Sequence, residues 1–352
     1  PVRKKAGREG ENFVQGPNFL GEKMTKFIIK RVLISIVLLF VIMFFIYLIM
    51  RFMPTSYIEN VARQLSQRPG SRPYTEWLAL LNVQYGMDKD VFSGFIFWFK
   101  DAMTGNFGDS WYYTVPVIDK FKEVIWNSFF LSAITMTLEL VIAIPLGVVA
   151  ARKQYSITDY TITVIALIGI SLPSFFTASL LQYAFALKLD WLPLSGMVDP
   201  RTTAASNSFA YILDVGYHYI LPILTLVIIS IGGLMRYTRT NMLEVLNSDY
   251  IRTARAKGLS EKRVINYHAF RNTLIPIVTI VGGMLPGLFG GAMITETIFE
   301  LKGIGYTSYL AMVNGDIPFT MFYLTFMAIL TLLGTLIADI LYAVVDPRVR
   351  VN

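Results

Sequence analysis

An all-α membrane protein with six transmembrane helices is predicted, and three observations predict it. Hydrophobic residues make up 54% of the 352 residues and charged residues only 16%, where soluble domains carry about a quarter charged. The apolar residues are gathered into runs long enough to cross a hydrocarbon core, which takes about 20 residues of helix. Lysine and arginine also rise and fall in density between successive connecting segments, the pattern that orients a chain in a bilayer.

In order, the runs are Val32 to Met50, Val124 to Ala150, Tyr160 to Leu187, Val215 to Met235, Asn272 to Thr295 and Ile317 to Val345. Arg31 and Arg51 bracket the first, Glu139 interrupts the second, His218 lies in the fourth and Asp339 in the sixth. Segments 1–31, 151–159, 236–271 and 346–352 hold twenty Lys and Arg, and the alternate segments 52–123, 188–214 and 296–316 hold ten. Basic residues stay on the cytoplasmic side, so both termini are expected inside. A basic flank before an apolar run also fits a signal peptide, but no small-residue cleavage site precedes Arg51, which favours a retained span.

Residues 1–23 are polar and aperiodic, whereas Met24-Thr25-Lys26 reads as a start. The first stretch is therefore expected to be an N-terminal extension or an expression scar outside the fold. Residues 24–51 then form the first span and 52–123 an extracytoplasmic cap. Within the cap, Arg68-Pro69-Gly70 and Gly105-Asn106-Phe107-Gly108 read as turns, Trp77, Leu78, Leu80 and Leu81 as an amphipathic helix, and Phe92 to Phe99 as an interfacial aromatic cluster. Residues 124–345 make a five-span core with an inner segment at 236–271, and 346–352 a cytoplasmic tail. No tandem or inverted repeat is evident.

Composition excludes much chemistry. The chain has no cysteine and two histidines, His218 and His268, which leaves no thiol nucleophile, no disulfide and no metal site, so no cofactor is expected in this chain. No nucleophile–histidine pair is evident, and no catalytic residue is assigned. The sequence G-x-x-x-x-G-K-[ST] does not occur, and the inner segments are too short to house a nucleotide-binding domain. Any ATP hydrolysis therefore belongs to separate subunits. The net charge of +7 follows membrane topology instead of marking a nucleic-acid partner.

Segment 236–271 is the most informative. Ser248 or Asp249 can cap a helix N-terminus, Ala254 and Ala256 favour helix, and Gly258 can end it in the left-handed conformation. Ser260 can cap a second helix that carries Val264, Ile265 and Phe270 toward the membrane, with Pro276 at the start of the fifth span. A helix of about eight residues is marginal alone and must pack against something. Its alanines permit close approach of a partner, and Arg252, Arg255, Lys257 and Arg263 form a basic rim suited to an acidic partner surface. The same residues also fit lipid head groups under the positive-inside rule.

The run Asp249-Tyr-Ile-Arg-Thr-Ala-Arg-Ala-Lys-Gly-Leu-Ser-Glu-Lys-Arg263, continuing to His268-Ala-Phe-Arg-Asn-Thr-Leu-Ile-Pro276, closely resembles the cytoplasmic EAA loop of ABC importer permeases, in the version carried by the dipeptide and oligopeptide permease family. The general motif has glutamate at Arg252 and alanine at Thr253, and these departures point toward the peptide branch. Leu167 to Phe175, Thr295-Glu296-Thr297 with Gly303-Ile-Gly305, and Ala338 to Arg348 are similar to the same family. The resemblance implies that Asp249, Tyr250, Arg252, Thr253, Ala254, Arg255, Ala256 and Gly258 form a coupling helix seated in an ATPase groove. It also implies two ATPase subunits holding ATP and Mg, a second homologous permease, an extracytoplasmic peptide-binding protein and a bacterial or archaeal cytoplasmic membrane. Nickel and glutathione branches of the family remain alternatives for the cargo.

Ser171, Ser174, Thr177, Gly283, Gly287, Gly291, Thr295 and Thr297 are candidates to line a translocation path, the three glycines as a small-residue stripe at intervals of four along one helix face. Pro286 frees the Gly282 carbonyl, which protein or cavity water must then satisfy. Pro145, Pro173 and Pro222 weaken the second, third and fourth spans. A competing class is a proton-coupled carrier that uses Glu139 and Asp339 as its relay. Structural roles, with Asp339 meeting water, Arg348 or a helix terminus and Glu139 pairing within the bundle, oppose it.

Overall fold

A computed structural model describes residues 17–52, 56–84, 88–202 and 208–345, so the expectations for 1–16 and 346–352, Arg348 included, lie outside the described residues. Fourteen α-helices are found among the described residues, with two π turns and one 3₁₀ turn besides. Helix α1, Pro17–Phe52, begins upstream of Met24, with proline at its first position, where the missing N–H is not needed. Three shorter helices follow, α2 Ser56–Ser66, α3 Tyr74–Gln84 and α4 Val91–Met103. Asp90 caps α4 by accepting from the Phe92 and Ser93 amides at 3.1 and 3.0 Å.

These short helices fold back onto α1. Phe95, fully buried, meets Phe40, Phe44 and Tyr47 edge-on, and Ile58, Ala62 and Leu81 complete the same core. The helix that carries Trp77, Leu78, Leu80 and Leu81 forms, but its apolar residues do not share one buried face: Leu81 is buried while Leu80 is exposed.

Helix α5, Val117–Arg152, and α8, Ser208–Leu246, run through Pro145 and Pro222 and pack along each other as the most extensive helix pair. Between them the third apolar run is not one straight helix. Helix α6, Ile157–Ser171, and α7, Ser174–Leu181 with its π turn Gln182–Lys188, meet at 102°. The cause is local: Pro173 supplies no N–H and forces Leu172 into an extended conformation, with ψ 129°. Among the described residues five helices are long and apolar enough to cross a membrane, and the bent pair makes six if it counts as one span.

After α8 come α9, Asp249–Ala256, and α10, Glu261–Arg263, which continues through a π turn, Val264–Ala269, into α11, Phe270–Met284. Pro276 thus sits inside a helix that began fifteen residues earlier in the sequence, at Glu261. Pro286 converts the next turn, Leu285–Phe289, to 3₁₀ geometry. This satisfies the Gly282 carbonyl without water, because the Leu285 amide donates to it. Gly291, at φ +78°, then breaks the chain before α12, Met293–Ile298. Gly283, Gly287 and Gly291 therefore do not share one helix face, and the predicted stripe is interrupted by the backbone itself. Helices α13, Ile304–Val313, and α14, Ile317–Val345, complete the fold, with α14 packed on α1 and α11.

Buried polar side chains pin the helix ends. Asp159 at the start of α6 takes a bidentate pair from Arg239 of α8 at 2.7 and 2.8 Å. Asp316 accepts from the Phe319 amide at the start of α14 and from the Tyr112 amide and Ser110 hydroxyl of the segment before α5. Glu296 of α12 accepts from the Ser128 hydroxyl and from the amides of Ala292 and Tyr306. Gly303 and Gly305 make that last arrangement possible, since a Cβ at either would press on the Glu296 carboxyl.

Candidate coupling surface and membrane cleft

Helix α9 is held by one face. Ile251 and Ala254, three residues apart and so on the same side, are buried among Ala151 of α5, Met242 of α8 and Val264, Ile265 and Ala269 of the π turn. The small Ala254 therefore seats α9 on its own chain, while Ala256 is exposed. Val264 and Ile265 are buried beneath α9.

The opposite face carries Asp249, Tyr250, Arg252, Thr253 and Ala256, all exposed. Asp249 and Arg252 pair loosely at 3.5 Å, and the Thr253 hydroxyl donates to the Asp249 carbonyl. Ser248 occupies the N-cap position with extended backbone, but its hydroxyl donates backward to the Val245 carbonyl. Gly258 adopts φ +77° and turns the chain toward α10, as its place after the helix requires. Arg255 closes that turn with a bidentate pair to Glu261 at 2.8 and 3.2 Å, and this hydrogen-bonded carboxylate raises the guanidinium above its ordinary pKa. The rim left to Arg252, Lys257 and Arg263 is correspondingly smaller than the sequence indicates.

A cleft of about 580 Å³ lies between α5, α8, α11 with its 3₁₀ turn, and α14. Gly283 and Gly287 line it, with Ser132, Thr135, Glu139, Ser230, Thr331 and Thr335. Ser171, Ser174, Thr177, Gly291, Thr295 and Thr297 do not. Ser171 ends α6 exposed, donating to the Leu167 carbonyl, and Ser174 opens α7 half-buried. Thr177 and Thr295 are buried, on two helices, α7 and α12, that contact each other. Thr297 donates to the Met293 carbonyl, and Gly291 is pressed against Ile304 and Gly305.

Glu139 is buried in the wall of this cleft, with Ser230 as its hydrogen-bonding neighbour. Asp339 instead pairs with Arg31 of α1 at 2.9 Å, a partner the sequence did not indicate. Among the described residues no group of three or more His, Asp or Glu is placed to hold a metal ion.

A multi-span helical bundle bearing a short, one-face-anchored helix beside the ends of its long helices defines a membrane-embedded transport component. Residues 143–351 match the family described as binding-protein-dependent transport system inner membrane component, and the chain belongs to that family. It is similar to the oligopeptide transport system permease protein AppB of Bacillus subtilis, 35% identical over 93% of this chain and 100% of the relative. It is also similar to the dipeptide transport system permease proteins DppB of Alkalihalophilus pseudofirmus, 34% identical over 80% of this chain and 88% of the relative, and of Escherichia coli, 35% identical over 77% and 85%. The chain is thus a multi-pass transport subunit, not an enzyme, and works within a multicomponent system.

Proposed function

We propose that the chain is the permease subunit of an ATP-driven peptide importer in a bacterial or archaeal cytoplasmic membrane. It forms half of a permease heterodimer with a homologous subunit, receives peptide from an extracytoplasmic binding protein, and is driven by two ATPase subunits that hold ATP and Mg. The relatives named as oligopeptide and dipeptide permeases support the cargo. The observation that carries the coupling role is α9 itself: Ile251 and Ala254 fix it to the bundle while Tyr250, Arg252, Thr253 and Ala256 remain exposed for a partner.

In this reading α9 transmits motion because its buried face rests on three elements at once, the end of α5, the end of α8 and the base of α11. Docking an ATPase against the exposed face moves those ends together. The pairing of Asp339 with Arg31 supports a structural role for that carboxylate over a place in a proton relay.

Gentle purification from the native membrane tests the proposal. ATPase subunits and a second permease should accompany the chain, and a peptide presented by the binding protein should stimulate hydrolysis. Stimulation by nickel or glutathione alone would reassign the cargo, and transport by the isolated chain under a proton gradient would overturn the ATP-driven reading.

A further inference from the structure

We infer that the cleft around Glu139 is a binding site for a protonated amine, the ammonium group at a peptide's amino terminus or on a lysine-type side chain. The inference rests on the peptide-import reading for the molecule that bears the amine. Glu139 is 7% exposed and lies roughly 20 Å of helix rise from Arg152, deep within the second span. An ionisable side chain at that depth is costly unless a partner meets it. Among the described residues no ion pair includes Glu139.

The walls are rich in hydrogen-bond acceptors. Thr135, one turn before Glu139 on the same helix face, is 7% exposed and its hydroxyl has no partner. Thr331 and Thr335 of α14 donate their hydroxyl protons to the Met327 and Thr331 carbonyls at 2.8 and 2.9 Å, so their oxygens offer the cleft lone pairs only. A carboxyl group, two hydroxyls whose protons are already committed and the unpartnered Thr135 hydroxyl make a lining in which acceptors outnumber donors. An ammonium group is its chemical complement, with three donors and no acceptor. Gly287 leaves room for the rest of the cargo, since a Cβ built there meets nothing within 4 Å.

The test uses the assembled importer with cysteine-free partner subunits. The chain has no cysteine of its own, so Gly287→Cys places a single thiol in the open part of the cleft, and Thr331→Cys serves as the second variant. The cationic aminoethyl methanethiosulfonate should label this thiol at least ten times faster than the anionic sulfonatoethyl reagent, and Glu139→Gln should abolish the preference. Millimolar trialanine should slow labelling, whereas its N-acetylated form should not. Protection by N-acetyl-lysinamide would assign the site to side-chain amines, and protection by trialanine alone to the amino terminus. Equal labelling by both reagents, absence of labelling at both positions, or equal protection by N-acetylated trialanine would overturn the inference. Labelling reads the cleft whatever the cargo, so its failure leaves peptide import standing. A lack of peptide-stimulated ATP hydrolysis would sink the import reading without touching the labelling result.

Discussion

Ser128 and Glu296 are fully buried and bonded to each other: the Ser128 hydroxyl donates to Glu296 Oε1 at 2.7 Å while accepting from the Ile304 amide at 2.8 Å. Oε1 also accepts from the Ala292 amide and Oε2 from the Tyr306 amide, so one hydroxyl and one carboxyl organise α5, α12 and the start of α13. Ser128→Ala strands the Ile304 amide and leaves Glu296 Oε1 with the Ala292 amide alone, a cost of about 1–3 kcal/mol. Glu296→Gln costs more, because its NH₂ must face one of the N–H or O–H donors. Thermal unfolding in detergent should rank wild type above Ser128→Ala and that above Glu296→Gln. An unchanged midpoint in both variants would count against the arrangement.

The Asp159–Arg239 pair joins α6 to α8 with side chains 3% and 25% exposed. Removing one partner leaves the other charge stranded, which costs about 3–5 kcal/mol when the site is buried. Arg239→Ala and Asp159→Ala should each destabilise strongly, and the double variant should be less harmful than the two effects added. Additive losses in a double-mutant cycle would show that the pair is not coupled.

Gly258 and the Arg255–Glu261 bridge can be separated from the exposed face of α9. Gly258→Asp forces a side chain into φ +77°, a strain of about 1–2 kcal/mol, and should abolish uptake while membrane insertion persists. Charge reversal at Arg252 together with Arg255 should do the same. Arg255→Glu alone should lose uptake, and adding Glu261→Arg should recover most of it, because the bridge is restored in reverse. Normal uptake in the Arg252 and Arg255 double reversal would contradict docking through this face.

Asp339→Asn removes a pair whose side chains are 45% and 26% exposed for Arg31 and Asp339. Exposed pairs contribute roughly 0.2–1 kcal/mol. ATP-dependent uptake should therefore survive with little change in melting temperature. Loss of uptake with retained assembly would return this residue to a transport role.

Local signals were read well from the sequence. The end of α9 at Gly258 was legible because a glycine after a short helix needs only its own backbone to turn, and five of the six apolar runs were legible as long helices because each satisfies its own length requirement. Pro173 and Pro286 marked weak points, but the 102° bend and the 3₁₀ turn depend on neighbours that a linear reading does not supply. The partners of Glu296 were hidden because Ser128 is far from it in sequence. The cleft residues left a trace that was passed over: Thr135 with Glu139, and Thr331 with Thr335, are polar at four-residue spacing inside apolar runs, which puts each pair on one helix face.

The passage from α10 through the π turn into α11 is continuous helix over roughly 36 Å from Glu261 to Met284, with Pro276 inside it. Its foot lies beneath α9, and its far end reaches the glycines that border the cleft. A tilt of about 5° at the foot swings the far end by about 3 Å over such a length. If the segment tilts as one body, a nudge too small to disturb side-chain packing at one surface is enlarged, at its other end, to the width of a hydrogen bond.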